Sequence, residues 1–359
     1  MSEVTDDLSP VNWHRDAIRI VDQTALPGQV RYLDLTSCDD VVSAIGRLAV
    51  RGAPAIGVCG ALGVALIART ATGAAELTAG AARIAAARPT AVNLRWAVDR
   101  VMSVRAGGAD AMLVEALAIR DEATTASERM GMRAAELVAE LVSRRPMTIQ
   151  THCNTGGLAC MGRGTALAAV YALHERGVVR EVLVGETRPL LQGARLTAFE
   201  LQRWRVPHRV VVDSAGPALL AARRTDVVVV GADRIAGNGD VANKVGTYGL
   251  ALAAQRAGVP FIVVAPESTV DAGTAGGVDI AIEERHPAEV LAWSGVEAAP
   301  PGTDALNLAF DVTPADLVTA VVTERRVVRP AAGEDLRPPA GDTVETGPAT
   351  PPRDARRDR

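Results

Sequence analysis

Three segments decide the fold: TIQTHCNTGG at residues 148–157, EVLVGETRP at 181–189 and DVVVVGADRIAGNGDVANK at 226–244. In each segment a short apolar run ends in a polar cluster, and a helical pattern follows before the next run. This alternation is typical of parallel strands joined by crossover helices. The sequence therefore predicts an α/β protein whose C-terminal part is a Rossmann-like domain built on a parallel sheet.

Reactive side chains follow these apolar runs, namely Cys153, Glu186 and Asp233. Ligands of open α/β sheets bind beyond the carboxyl ends of the strands. A thiol and two carboxylates at those ends therefore indicate an active site. An ion pair between Glu186 and Arg188 is the alternative use of that carboxylate.

Cys153 and Asp233 have the stronger sequence context for chemistry. Cys153 precedes two glycines and a helix start, where the helix dipole and backbone N–H groups lower the pKa of a thiol. Asp233 follows four valines, and apolar surroundings raise the pKa of a carboxyl group, which suits a general acid. The alternatives are a cysteine that only packs in the core and an aspartate that only binds loop amides.

The first part of the chain is rich in Ala and Gly, and its pattern predicts mainly helices. Residues 11–36 alternate apolar and polar around Pro27-Gly28, which predicts a β-hairpin. We predict three parts: a smaller, mainly helical N-terminal domain with a short antiparallel sheet (1–125), a Rossmann-like catalytic domain (126–329) and a disordered Pro/Arg-rich tail (330–359).

Within these parts, the pattern assigns individual elements. Two helices over 41–68 are split at residues 51–54, and Gly57, Gly60 and Gly63 allow close helix packing. The later elements are strands at 147–152, 181–186, 209–213, 226–231, 260–265 and, as a further candidate, 278–284, with helices at 243–257 and 312–324.

Phosphate-binding features occur at two places. Arg51, Gly52 and Ala53 precede a helix and offer a cation with backbone N–H groups, although a plain helix–helix turn is the simpler interpretation. Asn243 and Lys244 stand at the start of the helix predicted over 243–257. Lys244 is also the sole lysine among 38 basic residues, which indicates a site for a compact ammonium group unless it is chance.

Composition excludes several classes of protein. A net charge of −4 gives no electrostatic basis for binding nucleic acid or an anionic membrane. Charged residues or glycines interrupt each apolar run, so none is long enough to span a membrane. The N-terminus does not resemble a secretory signal. The four cysteines lack the spacing of a metal site. Dinucleotide, P-loop and HExxH fingerprints are absent from the sequence. We therefore expect a cytoplasmic protein without a catalytic metal.

Several blocks together resemble the methylthioribose-1-phosphate isomerase family, which shares a superfamily with the alpha, beta and delta subunits of initiation factor 2B. They span roughly residues 10–325 in order. The blocks are RGAPAIG (51–57), RPTAVNL (88–94), THCNTGGLA (151–159), GETRPLLQGARLTAFEL (185–201), GADRIAGNGDVANKVGTYGLA (231–251) and AFDVTP (309–314).

The resemblance implies isomerisation of 5-methylthio-α-D-ribose 1-phosphate to 5-methylthio-D-ribulose 1-phosphate in L-methionine salvage, by a homodimer without cofactor or metal. Asp233 would protonate the ring oxygen or the developing O2. Cys153 would either remove the C2 proton or stabilise the charge of a hydride shift. The resemblance assigns binding of the sugar phosphate to Arg51, Gly52, Ala53, Arg88, Gln192, Asn243 and Lys244.

Two other functions remain open from the sequence. One is a related isomerase acting on 5-deoxyribose 1-phosphate or ribose 1,5-bisphosphate, although a second cationic cluster for the bisphosphate is not recognisable. The other is a noncatalytic regulatory subunit like those of initiation factor 2B, which the presence of both Cys153 and Asp233 disfavours.

Overall fold

The computed structural model describes residues 8–88, 91–293 and 295–337, so most of the expected tail lies outside the described residues. An antiparallel sheet begins the chain. Its strands, in sheet order, are β1 (Val11–His14), β2 (Ala17–Val21) and β3 (Tyr32–Leu35). β2 and β3 pair antiparallel on either side of Pro27 and Gly28, which confirms the predicted hairpin.

Helices make up the rest of the N-terminal part: α1 (Cys38–Gly46), α2 (Ala53–Thr70), α3 (Ala74–Ala86), α4 (Val92–Ser103) and α5 (Gly108–Leu141). The split between α1 and α2 lies where the sequence predicts it, with Pro54 in the first turn of α2. The glycines of α2 let α4 approach closely. A Cβ at Gly57 would lie 3.0 Å from the carbonyl oxygen of Asn93, and one at Gly60 would overlap the Leu94 side chain.

α2 is the core helix of this part. By length and composition alone it could cross a membrane, and among the helices of the described residues it is the only one that meets this criterion. In the fold, 78% of α2 is buried inside the protein. Its apolar side chains are therefore used in packing against the surrounding helices.

α5 belongs to both halves of the molecule. Met112, Ala116 and Ile119 pack in the N-terminal core, while Ala134 and Val138 pack beneath the large sheet. The predicted domain boundary at residue 125 falls inside this helix. One continuous helix, α5, therefore connects the two cores.

The C-terminal part alternates strands and helices. Its strands are β4 (Met147–Thr151), β5 (Val179–Gly185), β6 (His208–Val211), β7 (Val227–Val230), β8 (Arg234–Ala236), β9 (Val241–Lys244), β10 (Phe261–Val264), β11 (Val270–Asp271), β12 (Ala292–Trp293), β13 (Val296–Glu297), β14 (Phe310–Thr313), β15 (Ala320–Val322) and β16 (Val327–Val328). Its helices are α6 (Gly157–Cys160), α7 (Ala166–Glu175), α8 (Ala198–Arg203), α9 (Ala215–Ala221), α10 (Thr247–Ala257) and α11 (Ala288–Leu291).

The large sheet has the order β16-β15-β10-β7-β4-β5-β6. Its strands are parallel except β16, which pairs antiparallel with β15. Apolar clusters cover both faces, one with α5 and α7 and the other with α9 and α10. Strands buried on both faces are continuous apolar runs, which explains the four valines of β7. The predicted α/β fold is confirmed.

A second, smaller sheet of order β11-β8-β9-β14 corrects one prediction. Asn243 and Lys244 lie in β9, and not at a helix start, because α10 begins only at Thr247. β9 pairs antiparallel with β14, where Phe310 is opposite Lys244. The partner strand is distant in sequence, so local pattern gives no sign of this pairing.

Two other predicted elements are wrong. Residues 278–284 contain the end of a 3₁₀ turn and an isolated bridge from Glu284 to Leu308, and form no strand. Residues 312–324 form the end of β14, a 3₁₀ turn and β15, and no helix, because β15 completes the sheet beside β10. Of the expected tail, the structure describes residues 330–337, in which Pro330 and Leu336 are buried and the other residues are exposed.

Candidate active site

A cleft opens where β4, β5 and β7 end and α2 begins. Cys153 follows β4 and Asp233 follows β7, as the sequence predicts for a parallel sheet. Glu186 directly follows β5 but does not line the cleft, where Gln192 from the turn beyond β5 takes part instead. The residues that line it are Leu48, Arg51, Gly52, Arg88, Cys153, Leu190, Gln192, Asp233, Lys244, Arg285 and Phe310. Cys153 and Asp233 therefore face one space, together with the cationic candidates.

An apolar chamber adjoins this cleft. The two share Gly52, Arg88, Asp233 and Phe310 in their walls. The chamber's other lining residues are Ala53, Ile56, Ala91, Arg234, Ala242, Ile280, Ala281 and Ile282. The site thus combines a charged compartment with a largely aliphatic one.

Cys153 is held by its own backbone in an unusual conformation. Its φ is +61°, a left-handed value that costs energy in a non-glycine residue and recurs at functional sites. Its N–H donates to Thr187 Oγ1 at 2.9 Å, and its carbonyl accepts from Thr197 Oγ1 at 2.6 Å. Arg51 Nη2 lies 3.8 Å from Sγ. The turn therefore fixes the sulfur beside a guanidinium group.

Arg51 and Gly52 bring the N-terminus of α2 to the cleft. Arg51 Nη1 donates to Asn154 Oδ1 at 2.8 Å, which ties this segment to the Cys153 turn. Gly52 has a φ of +88°, and a Cβ there would overlap Ala159. Because no side chain caps α2, its first N–H groups are available to an anion.

Asp233 is recessed in the floor of the cleft, between β7 and β8. Its N–H donates to the carbonyl of Ala242 at 2.9 Å, so the β8–β9 hairpin fixes its position. Burial raises the pKa of the Asp233 carboxyl, and the positive charges of Lys244, Arg51 and Arg88 offset part of that effect. The direction agrees with the sequence-based expectation for a general acid.

Lys244 points toward the cleft, whereas Asn243 does not line it. Lys244 Nζ donates to the carbonyl of Ala309 at 2.7 Å and lies 4.5 Å from the centroid of the Phe310 ring. Burial lowers the pKa of the Lys244 ammonium, while Cys153 and Asp233 act in the opposite direction. Asn243 instead donates to Thr247 Oγ1 at 3.0 Å, as expected where adjacent strand residues face opposite sides.

Arg88 and Gln192 complete the predicted set. Arg88 Nη2 contacts Glu283 Oε2 at 2.7 Å, and Glu283 Oε1 also accepts from Arg285 at 2.9 Å. Gln192 is 5% exposed, and its Oε1 has no hydrogen-bond partner among the described residues. Sequence reasoning missed Arg285 because it lies in an irregular segment without a recognisable motif.

Two further polar residues, Arg188 and Asp240, stabilise the surroundings. Arg188 donates to the carbonyl of Val290 at 3.0 Å and lies over the Trp293 ring, and it does not line the cleft. Asp240 Oδ1 accepts from the Ala315 N–H at 2.9 Å, which makes it a structural anchor.

Comparison with known proteins gives the family. The model of the Initiation factor 2 subunit family matches residues 49–330. A methylthioribose-1-phosphate isomerase of Anaeromyxobacter dehalogenans is 52% identical over 91% of this chain and 95% of its own length. A 5-deoxyribose 1-phosphate isomerase of Moorella thermoacetica is 44% identical over 92% of this chain and 97% of its own length.

A longer relative and a solved structure agree with this. A probable bifunctional methylthioribose-1-phosphate isomerase/methylthioribulose-1-phosphate dehydratase of Nocardia farcinica is 54% identical over 90% of this chain, which spans only 59% of that relative. The crystal structure of 5-methylthioribose 1-phosphate isomerase from Pyrococcus horikoshii superposes with a TM-score of 0.82 at 36% identity, over 90% of this chain and 92% of that one. This chain belongs to the initiation factor 2 subunit family and, within it, to the methylthioribose-1-phosphate isomerases.

Proposed function

We propose that this chain converts 5-methylthio-α-D-ribose 1-phosphate to 5-methylthio-D-ribulose 1-phosphate, the aldose–ketose step of L-methionine salvage. The observation that carries the proposal is the shared cleft of Cys153 and Asp233, with Arg51, Arg88 and Lys244 in its walls. A thiol, a carboxyl group of raised pKa and several cations suit acid–base chemistry on an anionic sugar.

The cations and the start of α2 bind the phosphate in this proposal. Arg51 and Arg88 supply guanidinium donors, and Lys244 supplies a compact charge close to both catalytic candidates. Gln192 lines the cleft, and its buried amide oxygen has no partner among the described residues, so it is free to bond a sugar hydroxyl. Anchoring the phosphate holds C1 and C2 of the sugar against the reacting groups.

The phosphate on O1 prevents ordinary hemiacetal opening, so the ring must open with acid assistance. Asp233 gives its proton to the ring oxygen as the C1–O bond breaks. In one path Cys153 takes the C2 proton as a thiolate, a C1–C2 enol forms, and the thiol returns a proton to C1 while the C2 hydroxyl gives its proton to the Asp233 carboxylate. In the other path a hydride moves from C2 to C1 while the C2 hydroxyl gives its proton to that carboxylate. Both paths balance without another reactant, and exclusion of water by the apolar chamber favours either.

The apolar chamber receives the substituent at C5. Ile56, Ile280 and Ile282 line it, and thioether and methyl groups both suit aliphatic walls. The similarity to a 5-deoxyribose 1-phosphate isomerase supports a second candidate substrate. An apolar pocket separates two such groups by only about 1–3 kcal/mol, so we expect both to react.

Proton NMR of purified protein mixed with each sugar phosphate tests this function. We expect the ketose to form from the methylthio sugar at the higher kcat/KM. Cys153→Ser and Asp233→Asn should each lower kcat by about 10²–10⁴-fold in the folded protein. Near wild-type turnover in either variant would refute its role, and absence of turnover in the wild type would favour a regulatory subunit.

We further propose that the chain works as a cytoplasmic homodimer. Exposed apolar side chains on the edge strand β6 and the following loop, Val210 and Val212, and on α10, Tyr248 and Leu252, suit a second copy. The four free cysteines suit a reducing compartment. Light scattering after size exclusion should give about twice the mass of one chain, and a monomer at micromolar concentration would contradict the dimer.

A further inference from the structure

A buried carboxylate lies behind the Cys153 turn. Glu200, on α8, is 4% exposed, and its Oε1 accepts a hydrogen bond from Asn154 Nδ2 at 2.9 Å. The N–H groups of Gly157 and Leu158 also donate to this carboxylate. Each of these partners is a donor, so the surroundings suit an ionised carboxylate.

Asn154 connects this carboxylate to the cleft. Its Nδ2 faces Glu200 and also Thr197 Oγ1 at 3.2 Å, while its Oδ1 accepts from Arg51 Nη1 at 2.8 Å. The acceptors on one side therefore determine which end of the amide faces Arg51. The second Arg51 nitrogen, Nη2, lies 3.8 Å from Cys153 Sγ.

The element that carries these groups is irregular. Gly193–Thr197 form a π-helical turn directly before α8, and such turns recur at functional sites. The turn lets the Thr197 hydroxyl donate to the Cys153 carbonyl at 2.6 Å while Glu200 reaches Asn154. Gly156 leaves the necessary space, because a Cβ there would overlap the Glu200 carboxylate.

We propose that Glu200 is a positioning residue whose carboxylate, acting through Asn154, orients Arg51 toward Cys153 and the bound phosphate. The inference rests on the proposed function for its effect on turnover. Loss of the carboxylate would free the Asn154 amide to turn its NH₂ group toward the Arg51 guanidinium, where two donors oppose each other.

The charge state of Glu200 makes the positioning dependent on pH. Burial raises the pKa of Glu200 to about 7, and the hydrogen bonds from Asn154, Leu158 and Gly157 and the charge of Arg51 oppose that rise. Burial raises the pKa of the nearby Cys160 thiol on α6 to about 12, and the Glu200 charge acts in the same direction, so Cys160 stays neutral. As pH falls through 7, Glu200 gains a proton. The protonated carboxyl group then has an O–H donor among partners that are themselves hydrogen-bond donors.

Glu200→Gln, which keeps the shape of the side chain, tests the proposal. We expect kcat/KM at pH 8 to fall about tenfold, the size of effect typical of a displaced second-layer partner. The ratio of kcat at pH 8 to kcat at pH 6 should be smaller in this variant than in the wild type. Unchanged kcat/KM together with an unchanged ratio would overturn the proposal.

Asp226→Asn is the matched control. Asp226 is also a recessed carboxylate and accepts from the Thr148 N–H at 2.7 Å. It lies at the amino end of β7, away from the cleft. We expect this variant to keep wild-type kcat/KM and the wild-type pH ratio. If it shows the same losses as Glu200→Gln, the effect is one of general stability and the proposal fails.

A second variant covers the case in which Glu200→Gln does not fold. Asn154→Ala removes the link and leaves the carboxylate, and we expect it to weaken the binding of inorganic phosphate, measured by calorimetry. Where both single variants fold, the double variant should lose no more than the worse of them, because they act in one chain of contacts. Additive losses would overturn the link.

Phosphate binding also separates the two proposals. If the wild type shows no turnover of either sugar phosphate, the proposed function fails. Weaker phosphate binding in Glu200→Gln or Asn154→Ala would still support the positioning of Arg51, and wild-type affinity in both would refute it.

Discussion

At Lys244, the ammonium group fits between the carbonyl of Ala309 and the Phe310 ring. This space suits a compact point charge, and the chain's one lysine lies in it. The sequence predicts a site role for Lys244 at a helix start, and the structure places the residue in a strand beside the cleft.

Lys244→Arg should lower kcat/KM by about tenfold or more, because the longer, planar group displaces Phe310 or leaves the cleft. Steady-state kinetics with the methylthio sugar measure this. Arg209→Lys, at an exposed ion pair with Glu181, is the control and should change little. Wild-type activity of Lys244→Arg would contradict the need for a compact charge.

Gly52 is a second residue in the cleft wall, and its backbone conformation favours glycine. Gly52→Ala should cost about 1–3 kcal/mol of unfolding free energy, since its φ is +88° and the added methyl group overlaps Ala159. It should also weaken phosphate binding by moving the start of α2. Gly73 also lies at a helix N-cap but has open space around it. Gly73→Ala should therefore leave the unfolding free energy, measured by urea unfolding, and the phosphate affinity, measured by calorimetry, nearly unchanged.

At the scale of elements, α10 begins against a carboxylate from another strand. Asp311 of β14 accepts from the N–H groups of Gly246 and Tyr248, at 2.6 and 3.2 Å. This partner replaces the absent side-chain cap of α10, and it positions the turn that follows Asn243 and Lys244. Burial raises the pKa of Asp311 to about 6.

That raised pKa gives a stability prediction. Between pH 3.8, the ordinary pKa of an aspartate, and about pH 6, the folded protein binds a proton that the unfolded chain has already released. The Asp311 contribution to unfolding free energy therefore falls as pH rises through this window. Urea unfolding at pH 4.5 and 7 should show that Asp311→Asn gains stability relative to the wild type at the higher pH. A constant difference would contradict this.

The elements also show what local sequence can reveal. The locations of Cys153 and Asp233 were predictable because each follows a buried strand of a parallel sheet, and such strands have a clear apolar pattern. The β8–β9 hairpin and β15 could not be predicted, because pairing with distant strands overrides a local pattern that fits a helix. Glu200 was missed because its neighbours belong to turns that sequence pattern does not describe.

At the scale of the whole molecule, an ion pair joins the N-terminal and C-terminal parts at the cleft wall. Arg88 precedes α4 in the N-terminal part, and Glu283 belongs to the segment after β11. Glu283 also contacts Arg285, another residue of the cleft wall. An entering phosphate must therefore compete with this carboxylate for both guanidinium groups.

Glu283→Gln should tighten inorganic phosphate binding by about threefold to tenfold, because the variant removes a competing negative charge. Calorimetry at low and high salt measures it, and the gain should shrink as salt rises. Glu297→Gln, on the exposed strand β13, is the control. Weaker phosphate binding in Glu283→Gln would mean that the ion pair holds the cleft in shape.

The pairing of β9 with β14 has a consequence for synthesis of the protein. The hairpin that carries Asp233 and Lys244 lacks its edge partner until residues 310–313 have left the ribosome, and the Ala309 carbonyl that holds Lys244 arrives with them. A nascent chain can build most of the parallel sheet before then. Products truncated ahead of Ala309 should therefore fold in part and yet carry an unfinished catalytic centre.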